Sequence, residues 1–209
     1  MESLRNVFVS ASVVFLSISS AFAFEPVQGP DHNVGNSWTY KGRDGYGKDL
    51  PSFTVTCVAK SESGYTMERS VNGLAVERYD VSKHMGRVSS VQGNVGNGER
   101  FDFPLTKGKK WSYVSFWEGT NGFGKDDITY EVTGEADITT AAGTFKAIVI
   151  KGDTGRWSNL SSPYSGNFDV VEYYSPVANT VVRSERTNYF TGGGAAQKRI
   201  YILESYELK

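Results

Sequence analysis

From Trp38 to the C-terminus, apolar and polar residues alternate with period two, the pattern of half-buried β-strands. β-Branched and aromatic residues fill these runs, and Gly, Asn and Asp punctuate them. The alternation predicts strands near 37–41, 52–60, 63–70, 74–81, 86–92, 111–118, 127–139, 143–151, 168–175, 180–188 and 197–207, about ten or eleven in all. No helix is predicted after the N-terminal segment. Asn72-Gly73 supplies two residues that tolerate positive φ, as a tight hairpin requires. Ala142-Gly143 separates two further strands, and Gly192-Gly193-Gly194 leads into the last one. Two glycine-bearing stretches, 93–110 and 152–167, read as long loops.

The faces of these strands differ. Phe53, Val55, Cys57 and Ala59 share one side of their strand, opposite mostly polar partners, as expected of a sheet with one wet face. The stretch 111–117 is apolar on both sides: Trp111, Tyr113 and Trp117 on one, Val114 and Phe116 on the other. Such a strand is covered twice or lines a cavity. One pattern occurs twice, as Gly35-Asn36-Ser37-Trp38-Thr39-Tyr40 and as Gly108-Lys109-Lys110-Trp111-Ser112-Tyr113. It suggests one all-β domain of two related halves, about 34–92 and 107–208, joined by a linker at 93–106. The expected architecture is a single antiparallel curled sheet or open half-barrel.

The N-terminus changes the setting. Arg5, the apolar run from Val7 to Ile18 and the small-residue triplet Ala21-Phe22-Ala23 make a secretory signal, with cleavage expected after Ala23. The expected location is periplasmic or secreted. The apolar run is too short for a stable membrane anchor, and no later stretch reads as a transmembrane segment. About 185 residues remain for residues 24–209, enough for one domain that buries roughly 70% of its unfolded surface. A formal net charge of −1 leaves no footprint for nucleic acid. Cys57 is the only cysteine, so an internal disulfide is excluded, and its apolar register neighbours predict a buried, inert thiol.

The stretch Val132 to Ile150, with its Ala142-Gly143-Thr144-Phe145 hairpin, and the stretch Glu172-Tyr173-Tyr174-Ser175-Pro176 through Val181-Val182 carry a resemblance. They resemble uncharacterised secreted β-proteins of Gram-negative bacteria, over residues 100–188 and more weakly before. The resemblance implies an antiparallel meander curled around its core. Curled sheets of this kind are similar to those of periplasmic lipoprotein carriers, which hold acyl chains in the hollow; this is analogy at the level of fold.

No catalytic constellation stands out. His32 and His84 are the only histidines, so a zinc site lacks its usual ligand set and a dispersed hydrolase site has only two candidate bases. The run Gly122 to Asp127 lacks the spacing of a phosphate or calcium loop and reads as a polar hairpin turn. Glu131, Glu135 and Asp137 fall on one strand face, which fits a solvated outer surface better than a carboxylate pair for glycoside hydrolysis. No cofactor or metal is implied. The aromatics carry the remaining signal: Trp117, Trp157, Tyr174 and Phe116 are the candidate ligand-binding residues. The expected function is non-enzymatic binding of an apolar or amphipathic small molecule. The alternatives are a cell-envelope protein that pairs with a protein partner through a sheet edge, and a hydrolase with a dispersed site.

Overall fold

The computed structural model describes residues 24–89, 93–119 and 122–209. The signal segment expected over 1–23 lies outside the described residues. Alternating sequence becomes ten antiparallel strands: β1 (Ser37–Asp44), β2 (Asp49–Lys60), β3 (Gly64–Val71), β4 (Leu74–Ser82), β5 (Lys110–Gly119), β6 (Gly122–Thr140), β7 (Gly143–Asn159), β8 (Ser165–Ser175), β9 (Thr180–Phe190) and β10 (Gln197–Glu207). They form one sheet in the order β4-β3-β2-β1-β10-β9-β8-β7-β6-β5. Each strand except β1 and β5 therefore follows its sequence neighbour, and the sheet curls into a half-barrel. The curl is tight enough that Phe145 on β7 packs against Tyr206 on β10, ring centroids 5.9 Å apart, although two strands separate them in the sheet.

Two expectations about loops are corrected. The segment 152–167 is not a loop: β7 continues to Asn159 and β8 begins at Ser165. Its glycines make room for neighbouring side chains rather than for a turn. A Cβ on Gly152 would stand 2.4 Å from Ile128 Cδ1, and one on Gly155 would stand 2.6 Å from Phe168 Cζ. The run Gly122–Asp127 is likewise strand, not turn. Gly124 faces Trp117 across the β5–β6 pair, and the indole lies where its Cβ would be. The strand expected over 86–92 is also absent over its described part, 86–89, where Arg87 makes one isolated bridge to Val81.

The order of strands puts β4 and β5 at opposite edges of the sheet, and the described parts of the connection between them, 83–89 and 93–109, lie across the concave side. It is fastened at both edges. On the β4 side, the Val88 amide donates to the Asp80 carbonyl at 2.9 Å. On the β5 side, the Asn97 amide donates to Val114 O at 3.1 Å and its side chain donates to Ser112 O at 2.9 Å. In between, the Phe101 amide bonds the His84 carbonyl at 2.9 Å while His84 Nδ1 bonds the Phe101 carbonyl at 2.8 Å. Leu105, near the end of the strap, exchanges backbone hydrogen bonds with Val27.

This strap supplies the core that the curled sheet alone would lack. Phe101 and Leu105 are fully buried and pack with Trp111, Tyr130, Ile148, Ile150, Phe168 and Tyr174. A second cluster surrounds Trp38, whose indole donates to the Ala178 carbonyl at 2.8 Å. Trp111 is anchored in a similar way, donating to Arg100 O at 3.1 Å. Trp38 stands on a strand paired on both sides and Trp111 on an edge strand. Cys57 is fully buried, and burial raises its thiol pKa.

Candidate functional site

Antiparallel connection places the β5–β6, β7–β8 and β9–β10 turns at one end of the half-barrel. Below them, on the concave face, lies a hollow of about 980 Å³. Its walls are the inward phases of six strands: Tyr113 and Trp117 on β5, Ile128 and Tyr130 on β6, Trp157 on β7, Phe168 and Val170 on β8, Arg186 and Phe190 on β9, and Arg199 and Tyr201 on β10. A smaller hollow of about 220 Å³ lies on the other side of Arg100, lined by Trp38, Phe53, Val55, Met67 and Tyr79. Arg100, Ser184 and Tyr201 border both. Pockets of several hundred Å³ with mostly apolar walls and a few fixed polar groups are typical small-molecule sites.

The polar groups inside are organised as ion pairs. Arg100 of the strap meets Glu172 on β8, whose side chain is 3% exposed. Burial alone lowers the pKa of Arg100, but the Glu172 carboxylate outweighs it and holds the guanidinium above its ordinary value. Glu172 Oε2 is buried with no hydrogen-bond partner among the described residues. Nearer the mouth, Arg186 pairs with Asp126, which also accepts a hydrogen bond from Trp117 Nε1 at 3.1 Å. The Arg186 guanidinium lies 3.9 Å from the centroid of the Phe168 ring, and its Nε donates to Asn188 at 2.8 Å. The phenols of Tyr113 and Tyr130 are pushed up by burial and stay protonated. Both carboxylates of the hollow are thus engaged by arginines, and the histidines are elsewhere: His84 on the strap's backbone, His32 packed edge-on between Trp38 and Tyr65, each 4.7 Å away.

The four residues expected from sequence fall in different places. Trp117 and Trp157 line the hollow. Trp157 donates to the Tyr189 carbonyl at 3.2 Å and meets Phe190 edge-on at 5.2 Å. Tyr174 lies under Phe101 and Phe103, fully buried beyond the floor. Phe116 is on the alternate phase of β5 from Ser115 and Trp117, facing away from the hollow. The charged residues Arg100, Asp126, Glu172, Arg186 and Arg199 carried no comparable sequence signal. The inward phase Phe168-x-Val170-x-Glu172 and its neighbour Ser184-x-Arg186-x-Asn188-x-Phe190 mix apolar and charged positions, which is the one pattern that hinted at a polar interior.

Fold and hollow together define a class: a single strapped, curled antiparallel sheet around an open cavity. Solved structures share this fold. One is a protein of Bacteroides fragilis inferred to be exported and of YmcC-like fold, matched with a TM-score of 0.58 and 14% identity over 87% of this chain and 99% of that one. Another, inferred to be a lipoprotein of Parabacteroides distasonis, matches with a TM-score of 0.55 and 16% identity over 88% of this chain and 100% of that one. No family model and no curated protein matches the sequence.

Proposed function

We propose that this chain is an exported binding protein that holds an apolar or amphipathic molecule in its hollow without turning it over. The hollow itself carries this reading: about 980 Å³, walled by aromatic side chains and open at the hairpin end. Burying about ten methylenes there would contribute roughly 8 kcal/mol before ordering costs. Export is supported by the signal-like N-terminus and by fold-sharing proteins inferred to be exported or lipoproteins. The engaged state of Asp126 and Glu172 favours binding over hydrolysis. The edge-pairing reading is weakened because the strap already occupies part of both sheet edges. Titration of the exported chain with hydrophobic dyes, fatty acids and lipids tests the proposal. Saturable binding, reduced in Trp117→Ala with the fold intact, is expected; no saturable binding of any of them would defeat it.

A further inference from the structure

Resting on that reading, we infer that the hollow is built for an amphiphile with an anionic head group, and that Arg199 is the residue that receives the head. The charges lining the larger hollow do not balance. Three arginines, Arg100, Arg186 and Arg199, face two carboxylates, Asp126 and Glu172. The first two arginines are committed to those carboxylates. Arg199 is exposed and, among the described residues, stands in no ion pair. Its register partner on β1, Asp44, spends Oδ1 on the amides of Tyr46 and Lys48, both at 2.9 Å.

On the other side, Arg199 stands directly opposite Arg186 in the β9–β10 ladder, and both line the hollow. Arg186 has its counter-charge in Asp126 and Arg199 has none among the described residues, so an anion beside Arg199 would supply the missing one. The planar guanidinium of Arg199 matches a carboxylate or phosphate by shape as well as charge. The hollow is therefore polarised across its width. The β9–β10 side carries the uncompensated charge of Arg199, and the β5–β7 side offers the rings of Tyr113, Trp117 and Trp157 to a tail.

The test is calorimetric titration of the exported chain with dodecanoate, dodecyl phosphate, dodecanol, dodecyltrimethylammonium and inorganic phosphate. The two anionic amphiphiles are expected to bind about tenfold more tightly than dodecanol, the increment of charge-assisted hydrogen bonds over neutral ones. Arg199→Ala should erase that preference, bringing dodecanoate and dodecyl phosphate down to the affinity that the same variant shows for dodecanol, and Arg199→Glu should shift it toward the cationic amphiphile. Circular dichroism confirms that both variants are folded. Equal binding of dodecanol and dodecanoate, or an unchanged preference in Arg199→Ala, would overturn this inference and leave the cavity reading standing. Inorganic phosphate binding as tightly as dodecyl phosphate would overturn the amphiphile. Failure of every amphiphile to bind would overturn the cavity reading itself, and this inference with it.

Discussion

Arg186 on β9 and Asp126 on β6 form an ion pair although β8 and β7 lie between their strands in the sheet. The pair is a chord across the curl. A flat sheet would hold these groups far apart, so the contact exists only because the surface is bent. The Asp126 side chain is 10% exposed and that of Arg186 is 32% exposed, which makes the pair partly desolvated rather than a surface ornament.

Removing one end of this chord strands the other. Asp126→Ala is expected to lower stability by about 2 kcal/mol, because the Arg186 charge loses its partner and Trp117 Nε1 loses its acceptor. Adding Arg186→Met should recover part of the loss, since no charge is then left uncompensated. Urea unfolding of the two variants measures both effects; a double variant less stable than the sum of its single changes would contradict the account.

Two glycines separate steric from conformational cost. A Cβ on Gly166 would stand 1.8 Å from the Tyr189 carbonyl oxygen, which is backbone and cannot swing away. Gly166→Ala should cost about 3 kcal/mol or more and loosen the Trp157 anchor. Gly47 has φ +84 and open space around it, so Gly47→Ala should cost only about 1 kcal/mol, through strain alone. Thermal melts of the two variants should show this order.

His32 makes stability depend on pH. It is 1% exposed, and neither ring nitrogen has a hydrogen-bond partner among the described residues. Burial pulls its pKa down from 6.5 to about 4, against the opposing charge of Asp31. The unfolded chain takes up this proton at a higher pH than the folded chain does. The contribution is therefore fully present above pH 6.5 and is lost as pH falls from there to about 4. At most it is on the order of 3 kcal/mol. Denaturation profiles between these limits should flatten in His32→Phe if that variant folds, or in His32→Gln. An unchanged slope in a folded variant would remove His32 as the cause.

Cys57 should resist thiol reagents until the protein unfolds. It has no exposed surface, its sulfur donates to the Ala59 carbonyl at 3.4 Å, and burial raises its pKa, so thiolate is scarce. Labelling kinetics with and without denaturant give the answer, and rapid labelling of the native chain would be the contrary result.

Period-two alternation made the strand content and the curled, all-β architecture readable, because side-chain phase is a local property. β7 shows where this fails. Gly152 and Gly155 look like turn signals, yet they are small because Ile128 and Phe168 fill the space beside them, and those residues come from β6 and β8. Gly124 looks like a turn signal for the same reason, its partner being the indole of Trp117. Trp117 and Trp157 could be picked out as aromatics near the glycine-rich stretches. Arg100 could not, since it acts through Glu172, 72 positions away, from a segment with no periodic pattern. What the sequence concealed was therefore the contacts between strands and across the curl.

The strap from 83 to 109 gives this molecule a girth that strand number does not dictate. In a closed barrel the aperture follows from the count and stagger of strands. Here the gap between the edges is spanned by a connection whose described parts are irregular, fastened to the first edge at Asp80 and to the last at Val114. Adding or removing residues in that stretch would widen or narrow the bore while every rung of the ten-strand ladder stayed in place. Calibre is thus separated from scaffold, and the width of the hollow can be retuned by editing a single connection.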